Sequence, residues 1–170
     1  MKSIIRAGVA IFLVAVIIIY FIKVRLVKIR QKKLLARVDD AEDNINVYLN
    51  DKKDLIISTK DKFGEDYEND FKDINFSNYE GRELDNLLST LNNKFNDELI
   101  DDEKLLKNED IKKLYDDIRD NNSSLLAAKK FYNDTVKEYN DLKKSSHGTH
   151  LFCHFKNLKL WDIKETNSNK

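Results

Sequence analysis

Residues 7–37 read AGVAIFLVAVIIIYFIKVRLVKIRQKKLLAR, and this stretch decides how the chain is organised. Its first sixteen residues, Ala7 to Ile22, carry no charge and almost no polarity. Seven cations follow within fifteen residues: Lys23, Arg25, Lys28, Arg30, Lys32, Lys33 and Arg37. No Asp or Glu precedes Asp39. A hydrocarbon core of about 30 Å takes roughly 20 helical residues. The run approaches that length by taking in Ile4 and Ile5, with Arg6 reaching back toward the head groups. Tyr20 and Phe21 fall at the far end, where aromatic rings favour the interface. A cleaved signal peptide needs small residues at its cleavage point, and Ile19-Tyr20-Phe21-Ile22-Lys23 supplies none. With no Cys near the run, a lipoprotein signal is excluded. The expectation is a short flank (1–6), a retained transmembrane helix (7–22) and a basic stem (23–37).

Orientation follows from the cations beside the span. The front flank has Lys2, Arg6 and the terminal amine; the rear flank has seven cations. The positive-inside bias predicts a single-pass protein of the cell membrane, with its N-terminus outside and its C-terminal domain in the cytoplasm.

The whole chain of 170 residues balances 30 basic against 30 acidic side chains, but the balance is segregated. Residues 1–38 hold nine basic and no acidic residues, so the remainder carries a net charge of −9. The stem suits an anionic leaflet, whereas the acidic part is repelled by nucleic acid. Nucleic acid is therefore not an expected partner; membrane lipids, through the span and the stem, are. About 130 soluble residues make one small domain. One Cys excludes an internal disulfide. Absence of Pro, only four Gly and 35% charged residues point to an all-helical chain.

Apolar spacing supports this. Leu34, Val38, Ala41, Ile45, Tyr48, Leu55 and Thr59 step by fours and threes, with Lys52 interrupting, as in the seam of a bundle or coiled coil. Nothing between Ile22 and Leu34 stops a helix, so span and seam form one rod, ending near Phe63-Gly64. Residues 65–82 read as a short helix and a loop closed by Gly81. Leu84, Leu87, Leu88, Leu91, Phe95 and Leu99 mark another amphipathic helix. Asn108-Glu109-Asp110 reads as an N-cap with acids in the first turn. Ile111, Tyr115, Ile118, Leu125, Tyr132, Val136 and Tyr139 line a last long helix, ending around Ser145-Ser146. The predicted fold is all-α: an N-terminal transmembrane helix, then an antiparallel bundle over 38–146 of about four helices, long first and last, then a tail over 147–170.

Two stretches, RVDDAEDNINVYLNDKKDLI (37–56) and AAKKFYNDTVKEYND (127–141), resemble the LemA family of bacterial membrane proteins. Arg37-Val38 and Ala41 match the family's Arg-Val and Ala. Ile45, Val47 and Leu49 match its Ile-x-Val-x-Leu, and Asp54-Leu55-Ile56 its Asp-Leu-Ile. Tyr132-Asn133 and Tyr139-Asn140 match its paired Tyr-Asn. The chain departs from the pattern at Glu42 (usually Trp), at Asp51-Lys52 (usually two Arg), at Ile57 (usually Pro) and over Ser145–His150, where a Pro is usual. The resemblance implies an antiparallel bundle on one N-terminal span, and no agreed biochemical activity. Without a Pro at position 57, the helix is expected to continue past Ile57.

Tyr132 and Tyr139 share one face of the last helix. As a recognition strip they would meet a partner; as core residues they would bury their rings while Asn bonds to a neighbouring helix. The structural reading is preferred. His147, His150, Cys153 and His154 lie within eight residues; on a helix His150 and His154 are one turn apart, a possible zinc set. Gly148-Thr149 interrupts that geometry, and chance clustering is preferred. No carboxylate sits in an apolar context suited to acid–base work, and no phosphate loop or nucleophile elbow occurs. No catalytic residue, cofactor or metal ligand is assigned. The expected function is a non-catalytic, membrane-tethered scaffold or adaptor with a protein partner on its bundle surface. The alternatives are an extracytoplasmic sensory or binding domain, and a metal-dependent activity of the His/Cys tail.

Overall fold

The structure is a computed structural model, in which residues 2–62, 65–101, 105–149 and 152–163 are described. They form four α-helices: α1 (Lys2–Thr59), α2 (Glu65–Asn69), α3 (Gly81–Asp101) and α4 (Glu109–Ser145). Short 3-10 turns occupy Lys60–Lys62, Phe76–Asn78, Leu105–Lys107 and His147–Thr149. No strand occurs among the described residues, and the fold is all-α.

Span and seam are one helix, because no Pro and no Gly after Gly8 interrupts them. The first part of α1 is apolar on every side and uncovered: Ile11 is 71% and Phe12 67% exposed, and Val14, Ile17 and Ile19 are exposed too. This helix is long and apolar enough to cross a membrane. From Val24 onward one side of the same helix is buried. α1 passes Ile57 without a break and gives way to a 3-10 turn at Lys60, so its α-helical part stops short of the expected Phe63-Gly64, which lie outside the described residues. Thr59 closes it: its hydroxyl donates to the Ile56 carbonyl and is hydrogen-bonded to the Tyr67 hydroxyl. Burial pushes the Tyr67 phenol up to about 12, with the Thr59 bond opposing.

The remaining boundaries have local causes. Asn75 opens the turn at Phe76, its side chain accepting from the Ser77 amide. Gly81 turns the loop into α3 with φ of +51°, a conformation that disfavours any Cβ. Asn108 caps α4, accepting from the amides of Asp110 and Ile111. Glu109 and Asp110 then sit at the positive end of the helix dipole.

The chain divides into two compact units. The first comprises Met1–Asp40 with Tyr132–Leu160. Here α1 and α4 run antiparallel, since Tyr20 bonds Gly148 while Arg37, further along, pairs with Glu138. Leu34, Tyr139 and Leu142 make its core, flanked by Val27, Leu35, Phe155 and Leu158. Residues 153–160 are not helical; they lie along the helices as a strap. Gln31 donates to the His154 carbonyl (2.6 Å), the Lys156 amide to the Tyr139 hydroxyl (2.7 Å), and Lys143 to the Asn157 side chain (2.9 Å).

The second unit comprises Ala41–Phe131 with Trp161–Lys170. α3 runs antiparallel to α4: Asp85 meets Lys129, and Asn92 meets Asn122. Ile45, Leu49 and Ile56 of α1, Leu88 and Phe95 of α3, and Ile118 of α4 are fully or almost fully buried. The seam of α1 differs in phase from the spacing read above. Its buried positions are Leu34, Val38, Ala41, Ile45, Leu49, Lys52, Ile56 and Thr59, whereas Tyr48 and Leu55 are half-buried. Two four-residue steps occur in succession, from Ala41 to Ile45 to Leu49. Such a stutter shifts the buried stripe back toward the natural 3.6-residue turn, so Leu49 and Ile56 replace Tyr48 and Leu55 while positions 52 and 59 keep their places. Lys52 therefore does not interrupt the seam. It belongs to it.

Candidate functional site

Three charged side chains share the interior of the second unit: Lys52 from α1, Asp85 from α3 and Lys129 from α4. Each occupies a core register position. Lys52 follows Ile45 and Leu49 on its helix; Asp85 precedes Leu88, Asn92 and Phe95; Lys129 lies between Leu125 and Tyr132. The seam pattern of each helix thus carries its charge inward.

Lys129 holds Asp85 with both carboxylate oxygens, at 2.6 and 2.7 Å, and both side chains are about nine-tenths buried. Lys52 is only 4% exposed and forms no ion pair with any described residue. Burial pushes its ammonium down from 10.5 to about 8. The Asp85 charge opposes that shift and the Lys129 charge adds to it. Two cations thus share one anion, and the lysine without a direct partner takes the cost of desolvation. Trp161 covers the pair from the tail side. Its ring lies 4.8 Å from the Arg82 guanidinium and 5.7 Å from the Lys129 ammonium, both within cation–π reach. Three helices and the tail are tied together at this point.

A neighbouring feature of the same unit is an open groove of about 400 Å³ between α1 and α4. It is lined by Ala41, Asn44 and Tyr48 on one side and by Ser124, Ala127, Ala128 and Phe131 on the other. Its α1 wall spans the stutter, and its small residues leave space where larger ones would interdigitate. Phe131 stands at its edge with its ring about half exposed. Asn121 donates to the Tyr48 carbonyl, while its own side-chain oxygen is buried without a hydrogen-bond donor among the described residues. Neither lysine nor Asp85 lines the groove. The buried cluster therefore joins the helices in the interior, whereas the groove is open at the surface.

Compared with known proteins, the chain matches no family model, no curated protein and no solved structure.

The residues singled out in the sequence fall elsewhere. Tyr132 and Tyr139 are buried, and Asn133 with them. Tyr139 keeps its hydroxyl in use by accepting from the Lys156 amide, and its ring packs on Phe155 at 5.6 Å. This is the core role expected of them. The helix on which the zinc reading of His150 and His154 depends is absent around His154, because residues 153–163 form no helix. Cys153 is buried whereas His154 faces solvent, so these neighbours do not share one environment. His150 and the side chain of His147 lie outside the described residues. Among the described residues no group of three His, Cys, Asp or Glu converges.

The charged cluster was not read from the sequence. One signal for it existed: Lys52 stands where the heptad demands an apolar residue. Asp85 and Lys129 gave a similar sign, each flanked at helical spacing by core residues.

Proposed function

We propose that the chain is a membrane-tethered helical scaffold or adaptor of the LemA type, without catalytic activity, whose acidic bundle lies in the cytoplasm and takes a protein partner on its surface. One observation carries this reading. The apolar half of α1 is uncovered on all sides, yet the same unbroken helix supplies the core of both compact units. Lipid is the natural surrounding for the first part and protein for the second, so in this reading α1 tethers the bundle to the membrane. The cations of the stem support the cytoplasmic orientation. The two family-like stretches of sequence support the family reading, and Ala41, Asn44 and Tyr48 from one lie across the groove from Ala127, Ala128 and Phe131 of the other. That groove is the partner-facing surface in this reading.

The test is single-site labelling in intact cells. Cys153 is buried and makes a poor reporter, so the probe is Asp117→Cys on the exposed side of α4. An impermeant thiol reagent should label it only after the cells are opened. Labelling in intact cells would instead favour an extracytoplasmic binding domain. Recovery of the full chain in the soluble fraction would remove the tether itself.

A further inference from the structure

We propose that the turn after α4 is a second membrane contact, with Phe152 as its aromatic anchor and anionic lipid head groups as its partner. The proposal rests on the membrane-tethered reading of α1. It adds that the far end of the chain returns to the same bilayer surface from which α1 emerges.

The argument starts from level. Ile4 to Ile22 of α1 spans about 28 Å at 1.5 Å per residue, close to the thickness of a hydrocarbon core. Tyr20 and Phe21 then sit where acyl chain meets head group. The Tyr20 hydroxyl donates to the carbonyl of Gly148 at 2.7 Å, so the end of α4 is fixed at that depth. The Phe152 ring meets Tyr20 edge-on at 6.1 Å and Phe21 at 6.5 Å. Three aromatic rings from two distant parts of the chain therefore form one cluster at the boundary of the span.

The described residues on either side of position 150 are tied together by hydrogen bonds. The Ser146 hydroxyl donates to the Leu142 carbonyl, and the Thr149 amide and hydroxyl both donate to the Ser146 carbonyl. The amides of Phe152 and Cys153 both return to the Thr149 carbonyl. Ser146, Thr149 and Cys153 are buried. Phe152 alone of this set is turned outward, 44% exposed, beside Phe21, which is 58% exposed. In water such a cluster wastes apolar surface; in an interface it is favoured.

Charge selects the lipid. Lys23, Arg25 and Lys28 are exposed just beyond the span, and Lys144 is exposed on the last turn of α4. No Asp or Glu occurs before Asp39, or between Asp141 and Asp162. The surface around the aromatic cluster is thus basic, on a chain whose remainder is acidic. An anionic leaflet complements it.

The experiment uses the full chain reconstituted in phosphatidylcholine vesicles, with or without phosphatidylglycerol, and lipids brominated along the acyl chain as quenchers. Phe152→Trp reports the anchor, Phe12→Trp reports the span, and the parent supplies the background from Trp161. Bromolipid should quench Phe152→Trp well beyond the parent, most strongly from bromines near the carbonyls, and more with phosphatidylglycerol present. Replacing Lys23, Arg25, Lys28 and Lys144 with Gln should abolish the phosphatidylglycerol increment. Quenching of Phe12→Trp but not of Phe152→Trp would overturn the proposal and leave the tether intact. Quenching of neither would overturn the tether reading itself. Quenching equal with and without phosphatidylglycerol would overturn the anionic preference. Shielding of Phe152→Trp that bromolipid does not touch, and that grows with protein density, would assign the cluster to contact between copies and overturn the lipid assignment.

Discussion

Lys52 is the residue at which composition and position conflict most. A buried ammonium is destabilised, and its depressed value of about 8 is the measure of that conflict. The sign of the pH dependence follows. Between about 8 and 10.5 the unfolded chain holds the proton on Lys52 and the folded chain releases it, so folding stability from this group rises with pH across that window. The cost is fully present below 8 and amounts to about 3 kcal/mol at most. Lys52→Met should therefore be more stable than the parent at neutral pH by roughly 1–3 kcal/mol, and the advantage should shrink as pH approaches 10. Guanidinium unfolding of the full chain in detergent, followed by helical circular dichroism at both pH values, reads this directly. Tyr67 gives the opposite trend: burial raises it to about 12, so its contribution is lost as pH climbs above about 10. The difference between variant and parent cancels it. Asp85 behaves in the other direction from Lys52. Asp85→Asn removes the one anion between two buried cations and should cost about 3–5 kcal/mol. Adding Lys129→Met to that variant should recover a substantial part, because the buried cation left without its carboxylate is then removed. Equal losses in the single and double variants would show that the pair does not couple.

The stutter in α1 is the feature at the scale of the element. Reading by alternating steps of three and four placed Tyr48 and Leu55 in the core; the helix instead buries Leu49 and Ile56. Both registers fit apolar residues, since Tyr48-Leu49 and Leu55-Ile56 are adjacent apolar pairs, so spacing alone could not choose. Packing chooses, because a straight helix drifts by about 20° per heptad and two successive four-residue steps absorb the drift. Leu49→Ala should then cost about 2–5 kcal/mol, and Tyr48→Ala distinctly less, in the same unfolding measurement. The reverse order would restore the alternating register. Most of the helical framework was legible for the opposite reason. The long apolar start of α1, the length of α4 and the Asn108 cap each rest on a run or a single residue type with one outcome. The charged cluster was not legible, because Asp85 and Lys129 are far apart in sequence and meet only once α3 folds back on α4. The path of the tail was not legible either, since its apolar residues Phe152, Phe155 and Leu158 fit a helical repeat as well as they fit a strap. What decides is that helix surface already stands ready: Gln31 and Tyr139 take up the strap's backbone groups at His154 and Lys156.

For the whole molecule, the segregation of charge is the controlling property. Nine cations precede Asp39 and every acid follows, so the chain is an electrical dipole along its own sequence. During insertion, cations on the rear flank resist transfer across the membrane, and they outnumber those on the front. Net acidity of the bundle contributes little, because the bias depends on Lys and Arg near the span and not on net charge. On the proposed orientation, replacing Lys23, Arg25, Lys28 and Arg30 with Gln leaves three cations behind the span against Lys2, Arg6 and the amine in front. The two flanks then nearly balance, and a mixed topology is the expected outcome. The Asp117→Cys probe in that background should become labelled from outside in part of the population, while the parent stays protected until the cells are opened. The helix itself should be unaffected, since these four side chains are exposed. If the variant remained fully protected, the rear cations would not be what holds the bundle inside. Orientation would then depend on a feature beyond the stem, and the aromatic return of the C-terminal turn to the membrane surface would be the next element to alter.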